Sequence, residues 1–387
     1  MARASVGLGL IGAGGTFGTF IQSALRDVEG GRLAGIADVN EKALQEARQK
    51  LGVEHAYTDW RQLIADDEVG AVIVATPPFT QHEIARAVLE RGKALFLEKP
   101  GSVAPEDLRE LVDLQRSKRV RATIDYVMRW NPLLDVVRDI CRGGWLGALR
   151  SMQFVNYAQD ETLPKGHWFW DRSKSGGIFV EHGVHFFDLY GEIAGSPPAQ
   201  VVASQTVRDN AAPGGRVDQV DCVVTHDNGV LCAYFHAFNR PKAMERQQAI
   251  LAFDHGFVTV RGWIVDAVEV EGWVAREAAD ALGALPHLTK QDRREIDQDL
   301  HGHDVVWPAD SHVRLQFGLS YDRNESYRRE VAAGLSDLLA SMADRGRRQR
   351  VTLTDALRSL AVACVAEGTA TIEQAREVYS KYVPDGR

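Results

Sequence analysis

Residues 6–18, VGLGLIGAGGTFG, decide the fold class of this chain. The apolar run Val6–Ile11 leads into the glycine-rich turn Gly12–Gly18, after which a helical pattern begins. A short apolar run that ends at glycines is typical of a buried parallel strand, and a strand, a glycine turn and a helix in this order form the first unit of a dinucleotide-binding fold. Further apolar runs also end at polar or conformationally special residues: Leu33–Ala37 before Asp38, Ala71–Ala75 before Thr76 and Pro77, and Ala94–Leu97 before Glu98, Lys99 and Pro100. Because open α/β sheets bind ligands at the carboxyl ends of their strands, these residues are candidate ligand contacts.

Length and patterning predict two domains of the α/β class. The chain has 387 residues, which is enough for two hydrophobic cores. Strand and helix patterns alternate over residues 1–125, which predicts an N-terminal Rossmann domain with a parallel sheet. Residues 126–387 contain strand-like segments joined by turns such as Asp227-Asn228-Gly229, which predicts an α+β domain with an open, mostly antiparallel sheet. Within it, residues 279–311 are polar and weakly periodic, and we expect an insertion loop with some helix there.

Charge and composition exclude several classes of protein. Lys and Arg number 45 against 53 Asp and Glu, so the net charge is −8, whereas a nucleic-acid-binding surface is normally basic. No apolar stretch approaches the roughly 20 residues that cross a bilayer, and the N-terminal residues lack the apolar core of a secretion signal. The 4 cysteines are scattered without a CxxC pair, as expected of reduced thiols. We therefore expect a cytoplasmic protein with neither a nucleic-acid nor a membrane partner.

The glycine turn and Asp38 predict a nucleotide cofactor. Glycines let the backbone turn tightly and let a pyrophosphate reach the amides of a helix N-terminus. The third glycine is displaced, because Phe17 stands at the usual position and Gly18 follows it. A glycine-rich turn that binds nothing is the alternative. Asp38 can accept both ribose hydroxyls of NAD and would repel the 2′-phosphate of NADP, so NAD is the expected cofactor and NADP is less favoured.

Two further motifs carry groups that could act on a substrate. Lys99 lies between Glu98 and Pro100 at the end of an apolar run, although a surface lysine at a strand end is the plain alternative. In the predicted helix 178–194, Glu181 and His185 share one face, and a carboxylate beside an imidazole suits proton transfer near neutral pH. The alternative is a helix cap beside a buried core histidine. His182 lies three residues before His185 with no third ligand motif nearby, so no metal site is predicted.

Together these motifs resemble the Gfo/Idh/MocA family of oxidoreductases, which includes glucose-fructose oxidoreductase and inositol dehydrogenase. The resemblance covers most of the chain and rests on these positions: Gly12-Ala13-Gly14, Asp38, Ala75-Thr76-Pro77 with His82, Glu98-Lys99-Pro100, Tyr126-x-x-Arg129-Trp130-Asn131-Pro132, and Gly176-Gly177 with Glu181, Gly183, His185 and Asp188. It implies a Rossmann domain followed by a substrate-binding α+β domain whose open sheet makes dimer or tetramer contacts. A homodimer or homotetramer is therefore expected.

The resemblance also implies roles for individual residues. Lys99, His185 and Glu181 are the expected catalytic residues, and Glu181 stands where the family usually has aspartate. The expected cofactor contacts are Gly12, Ala13, Gly14, Thr16, Phe17, Asp38, Thr76, Pro77, His82, Glu98, Lys99 and Arg129. The expected substrate contacts are Tyr126, Tyr157, Trp168, Glu181 and His185. Aromatic faces pack against the C–H bonds of sugar rings, although such residues can equally belong to the core.

The implied activity is hydride transfer between C4 of nicotinamide and a secondary alcohol or ketone of a sugar, a cyclitol or a sugar derivative. Lys99 and His185 would act in proton transfer and in stabilisation of the alkoxide. Two other classes stay open. One is a non-catalytic sensor or regulator that binds NAD, and the other is a lyase or hydrolase that keeps NAD bound and uses transient oxidation.

Overall fold

The structure is a computed structural model that describes residues 5–209, 216–296, 299–302 and 306–383. The chain divides into two compact units, and both are discontinuous in sequence. The first contains the residues up to Trp130, the segment Gly166–Asp188 and the residues from Tyr327 onward. The second contains Asn131–Lys165 and Leu189–Ser326. The structure thus groups Gly166–Asp188 with the N-terminal sheet, whereas a division at residue 125/126 separates them.

The elements are numbered in chain order. The strands are β1 Val6–Ile11, β2 Gly31–Ala37, β3 His55–Tyr57, β4 Ala71–Val74, β5 Ala94–Leu97, β6 Ala122–Ile124, β7 Leu149–Gln159, β8 Pro198–Asp209, β9 Arg216–His226, β10 Leu231–Arg240, β11 Arg246–Phe253, β12 Gly256–Arg261, β13 Ala267–Val274, β14 Leu288–Glu295, β15 Leu300–His301, β16 Val306–Trp307 and β17 Ser311–Gly318. The α-helices are α1 Thr16–Ala24, α2 Glu41–Leu51, α3 Trp60–Ala65, α4 Pro78–Glu90, α5 Pro105–Lys118, α6 Pro132–Gly143, α7 Arg172–Ser175, α8 Val184–Ala194, α9 Arg276–Gly283, α10 Arg323–Ala343, α11 Leu353–Ala366 and α12 Ile372–Lys381. A π-helical turn, Phe179–Gly183, precedes α8 directly.

The first unit contains a parallel sheet of 6 strands in the order β3-β2-β1-β4-β5-β6. From β1 the chain adds β2 and β3 on one side of the sheet, and it then adds β4, β5 and β6 on the other side of β1. The boundary between β1 and β4 is therefore the topological switch point, where doubly wound sheets bind ligands. Strands β1, β4 and β5 are almost entirely buried, as expected of parallel strands with helices on both faces. The predicted Rossmann fold is therefore confirmed.

Local sequence signals explain where several helices begin and end. The Asn40 side chain accepts the Ala43 N–H at 3.1 Å and so caps α2. Gly52 ends the same helix in the left-handed conformation with φ +64°. Thr352 and Asp355 form a reciprocal capping box at the start of α11.

The second unit contains a sheet of 9 strands in the order β14-β17-β13-β12-β11-β7-β10-β9-β8. Neighbouring strands are antiparallel except β7 and β10, which are parallel. This mixed, mostly antiparallel sheet confirms the predicted class of the C-terminal half. Its strands alternate buried and exposed residues, so one face carries the core.

Parts of the predicted insertion loop 279–311 form strands, and the longest of them is β14. β14 pairs antiparallel with β17 and forms an edge of the large sheet. The expectation of a loop was wrong there because β14 is polar and exposed along most of its length, and so lacks the apolar alternation of a half-buried strand. Pairing with β17 stabilises it instead.

Within the part of the chain that the structure describes, none of the helices combines the length and the apolar character needed to cross a membrane.

Candidate active site

The glycine turn after β1 has one residue more than the common pattern. A Cβ atom on Gly18 would lie 2.1 Å from the Gly12 carbonyl oxygen, so Gly18 takes the place of close helix–strand packing that the third glycine normally occupies. Gly12 has φ +88°, and a Cβ there would lie 2.5 Å from the Ala75 carbonyl oxygen. The displacement of the third glycine therefore reflects a longer turn, in which the extra residue precedes Gly18.

A cavity of about 480 Å³ lies beside this turn. It is lined by the glycine turn, by Asp38 and Asn40 after β2, by Trp60, and by residues 75–77 and 79 after β4. Because Gly15 has no side chain to cap α1, the first amides of that helix are left for an anionic group. A narrow cavity with a helix N-terminus at one side and a carboxylate at another fits a dinucleotide.

Asp38 is held at the cavity by two backbone amides. Its Oδ2 accepts the Gly14 N–H at 2.7 Å, and its Oδ1 accepts the Asn40 N–H at 2.8 Å. These bonds fix the carboxylate next to the glycine turn, where it can accept ribose hydroxyls and disfavours an added phosphate.

Lys99 and Glu181 form a buried ion pair. The Lys99 Nζ donates to Glu181 Oε1 at 2.5 Å and to the Glu181 carbonyl oxygen at 2.8 Å. Only 6% of Lys99 and 5% of Glu181 is exposed, so the charges are screened little by water. Phe17 of the glycine turn also contacts the ammonium, with its ring centroid 5.2 Å from Nζ. The structure thus brings together a lysine, a carboxylate and the cofactor turn that the sequence predicts.

His185 lies on α8, one turn after Glu181, in a buried environment. Burial, and then the charges of Lys99 and His182, hold the pKa of His185 well below its ordinary value. The imidazole is therefore neutral at physiological pH. Tyr126 packs edge-on against it, with ring centroids 5.8 Å apart.

Glu367, which the sequence did not single out, anchors the segment that carries Glu181 and His185. Its Oε1 accepts the Phe179 N–H at 2.8 Å, and its Oε2 pairs with Arg172 at 2.9 Å. A Cβ atom on Gly177 would lie 2.4 Å from the Glu367 carboxylate, so only glycine lets this carboxylate approach the start of the π-helical turn. The glycine pair before the histidine motif has a structural reason.

Gln81, also missed, joins the loops after β4 and β5. Its Nε2 donates to the carbonyl oxygens of Thr76 at 2.9 Å and Lys99 at 3.1 Å, and its Oε1 accepts the Gly101 N–H at 2.8 Å. A buried polar side chain with three such bonds fixes both loops. The only sequence signal was a polar residue on the buried face of α4.

Several predicted contacts lie elsewhere in the structure. His82 faces α5, where its Nε2 lies 3.0 Å from Glu110 Oε2, and it does not line the cavity. Arg129 is 2% exposed and binds both oxygens of Asp188, at 2.6 and 2.8 Å, so it joins elements inside the first unit instead of lining the cavity.

Among the predicted substrate contacts, Tyr126 and Trp168 belong to the first unit, as do Glu181 and His185. Tyr126 is 1% exposed, and its hydroxyl hydrogen-bonds to Ser359. Trp168 packs edge-on against Phe79 of the cavity, with centroids 6.5 Å apart. Tyr157 lies in the second unit on β7, where its ring centroid is 5.2 Å from that of Phe235.

The remaining predicted cofactor contacts follow the chain around the turn and the strand ends. Ala13 is buried, and its carbonyl accepts from Gln22 at 2.7 Å, so it contributes through its backbone. Thr16 begins α1, and its side chain lies outside the described part of the structure. Thr76 and Pro77 line the cavity, and Glu98 is buried beside Lys99. Among the described residues, His, Cys, Asp and Glu side chains nowhere gather in threes to hold a metal ion.

Two family models match this chain in the order of its predicted domains. Residues 6–126 match the oxidoreductase family model described as an NAD-binding Rossmann fold, and residues 135–259 match the GFO/IDH/MocA C-terminal domain. The chain belongs to the GFO/IDH/MocA family. Its N-terminal sheet is accordingly an NAD-binding Rossmann fold, and the cofactor is NAD.

Relatives within the GFO/IDH/MocA family include named dehydrogenases. Myo-inositol 2-dehydrogenase of Thermotoga maritima is 29% identical over 226 residues, which are 58% of this chain and 66% of that protein. The rhizopine catabolism protein MocA of Rhizobium meliloti is 30% identical over 214 residues, 54% of this chain and 63% of that protein. The chain thus matches about two thirds or less of the length of these curated relatives.

Solved structures match over nearly the whole chain. Levoglucosan dehydrogenase in complex with NADH and levoglucosan has a TM-score of 0.74 at 18% identity and covers 99% of this chain and 100% of its own. A probable dehydrogenase from Thermotoga maritima has a TM-score of 0.70 at 22% identity, with 96% and 100% coverage. At these identities the likeness shows the fold.

Proposed function

We propose that this protein is an NAD-dependent dehydrogenase that oxidises a secondary alcohol of a sugar, cyclitol or sugar derivative, or reduces the ketone. The observation that carries the proposal is the buried Lys99–Glu181 pair near a neutral His185, with Phe17 of the glycine turn 5.2 Å from the Lys99 ammonium. When bound, NAD supplies the hydride acceptor at C4 of nicotinamide.

His185 and Lys99 have complementary tasks in this reaction. Oxidation of an alcohol releases a proton as well as a hydride, and a neutral imidazole can accept that proton. Burial and the neighbouring Lys99 charge keep His185 neutral before reaction, which is the state that oxidation requires. The Lys99 ammonium stabilises negative charge on the substrate oxygen. Because Lys99 is buried, this electrostatic attraction is stronger than it would be in water.

Glu181 holds Lys99 in place. A buried ammonium without a partner is costly, and the carboxylate at 2.5 Å balances its charge. A carbonyl oxygen of the same residue provides a second acceptor, so Nζ is fixed by two points of one turn. We infer that this pair orients Lys99 while a third N–H of the ammonium remains for substrate.

A polyol or sugar is the expected class of substrate. The named relatives include an inositol dehydrogenase, and Trp168 beside Phe79 offers an aromatic surface next to the cavity. Aromatic faces pack well against the C–H bonds of sugar rings.

We also propose that the protein forms a homodimer or homotetramer through the outer face of its large sheet. Val202, Val223, Leu231, Ile250 and Phe257 lie on the same face by register and are all exposed. Exposed apolar side chains on several neighbouring strands of one face are typical of an interaction surface.

Formation of NADH with a panel of inositols, sugars and glycosides tests the activity. We expect NADH fluorescence to rise with at least one ring polyol and to stay at background with simple primary alcohols. NAD binding without NADH formation for any member would favour a sensor instead. Cleavage of a glycoside with no net NADH would favour a lyase or hydrolase.

A further inference from the structure

The carboxyl groups of Glu98 and Asp125 lie next to each other near Lys99. Leu97 and Ile124 are register partners at the ends of β5 and β6, and the Asp125 N–H donates to the Leu97 carbonyl at 2.8 Å. The next residues along these strands are Glu98 and Asp125. Since equivalent positions on neighbouring parallel strands share a face, their side chains come within hydrogen-bonding reach of each other.

The pair is buried and short of donors. Both Glu98 and Asp125 are 3% exposed. Glu98 Oε2 accepts the Lys99 N–H at 3.2 Å, but Glu98 Oε1 and Asp125 Oδ1 have no hydrogen-bond partner among the residues that the structure describes. Two ionised carboxylates cannot donate to each other, so only a proton on one of them makes the hydrogen bond between them.

The surrounding charges favour a single negative charge on the pair. Burial raises the pKa of Glu98 to about 7, and burial together with Glu98 and Glu330 raises the pKa of Asp125 well above its ordinary value. Lys99 acts in the opposite direction on both groups. Glu181 from the π-helical turn and Glu330 from α10 add negative charge, while Tyr327 of α10 faces the cluster with its own pKa raised.

We propose that Glu98 and Asp125 share one proton, and that Asp125, as the hydrogen-bond donor to Glu98, is a positioning residue for the Lys99 loop. The proposal rests on the proposed role of Lys99 and deepens it. Asp125 acts through Glu98, whose other oxygen binds the Lys99 amide. A shared proton removes the repulsion between two carboxylates at this point of the loop.

Proton linkage tests the shared proton without reference to turnover. The folded pair holds a proton that the unfolded chain has released at neutral pH, so unfolding becomes easier as pH rises. Between pH 5 and 7, we expect the wild-type unfolding constant in urea to rise by up to about tenfold per pH unit more steeply than that of Asp125→Asn. The exposed control Asp67→Asn should follow the wild type. Equal slopes for wild type and Asp125→Asn would overturn the proposal.

Steady-state rates test the positioning role. Asparagine can donate the same hydrogen bond, so Asp125→Asn should keep kcat within about threefold of wild type, whereas Asp125→Leu should lose about tenfold or more. The dissociation constant for NAD should change little in either variant. A wild-type kcat in Asp125→Leu would overturn the positioning role. If no polyol is turned over by wild type, the proposed function fails while the linkage measurement stands on its own.

Discussion

His185 illustrates how a residue acquires its chemistry from its surroundings. The motif around it predicts a proton-transfer residue, but the sequence cannot give its protonation state. Burial and the charges of Lys99 and His182 lower its pKa, and these groups come from two separate strand-end and helix segments. The consequence is a neutral imidazole, which is the state that the proposed alcohol oxidation requires.

The lowered pKa of His185 predicts a dependence of stability on pH. Its folded pKa is depressed, so its contribution to stability is complete above the unfolded value of about 6.5 and is lost as pH falls below it. Replacing it by asparagine should reduce the acid destabilisation between pH 6 and 5 by up to about 1.4 kcal/mol per pH unit. Urea unfolding at several pH values measures this, with the exposed His301→Asn as control. A His185→Asn profile parallel to wild type would contradict the lowered pKa.

For other individual residues, the sequence predicts a position only where the residue belongs to a motif. Asp38, Lys99 and Glu181 lie where the strand ends and the helix pattern predict them. Arg129 does not line the cavity, because it pairs with Asp188, which lies 59 residues away in sequence. A buried arginine pairs with whichever carboxylate the fold delivers, and no local pattern reveals that partner.

At the scale of elements, α4 carries the clearest contrast between prediction and structure. The sequence favoured His82 as a cofactor contact, whereas the structure buries its neighbour Gln81 between the loops after β4 and β5. A shift of one residue on a helix turns the side chain by about 100°, which moves it from the solvent side to the sheet side.

Gln81 and His82 are adjacent on α4, so substitutions at the two positions can be compared directly. Gln81→Ala leaves buried acceptors at Thr76 and Lys99 without their donor, and we expect a loss of about 2–3 kcal/mol in unfolding free energy together with a lower kcat. His82→Ala removes a half-exposed side-chain contact with Glu110 and should cost less than about 1 kcal/mol. Urea unfolding and steady-state kinetics compare the two. A larger effect at His82 would show that the contact predicted from sequence is the functional one.

The turn before α8 depends on a glycine for a long-range contact. Gly177 has φ +100°, and Glu367 lies where its Cβ would be. Gly177→Ala should therefore destabilise the protein by about 2–4 kcal/mol and lower kcat by displacing Glu181 and His185. Gly368→Ala is the matched control, since Gly368 has φ +74° but open space around it, and should cost only about 1 kcal/mol. Thermal unfolding and kcat of the two variants decide the matter. Equal effects would mean that the Glu367 contact is unimportant.

Elements with strong local signals were predicted from sequence, and those built by distant partners were not. The buried runs of β1, β4 and β5 follow from continuous apolar sequence. The sequence pattern does not predict β14, because this polar edge strand is specified by pairing with its neighbour β17. The sequence pattern predicts an ordinary helix over the π-helical turn 179–183, because the contact that Glu367 makes there comes from 188 residues away in sequence.

At the scale of the whole molecule, the exposed face of the nine-stranded sheet predicts self-association. Ile250 and Phe257 lie on neighbouring strands β11 and β12 and are 39% and 45% exposed. The double substitution Ile250→Lys and Phe257→Lys places charges on this face and should reduce the particle mass to that of one chain. Light scattering after size exclusion measures the mass, with Lys118→Glu on α5 as a surface control. A wild-type monomer, or a double variant that stays oligomeric, would contradict the interface.

The account as a whole depends on Lys99 acting at a site that binds NAD independently of it. Replacing Lys99 by methionine keeps a similar volume but removes the ammonium that Glu181 and Phe17 contact. The decisive measurement is turnover of the best polyol by Lys99→Met, alongside its dissociation constant for NAD, with Lys118→Met as the exposed control. We predict NAD affinity within about threefold of wild type and kcat lowered by about a thousandfold or more. A Lys99→Met enzyme that turns over at the wild-type rate would contradict the account.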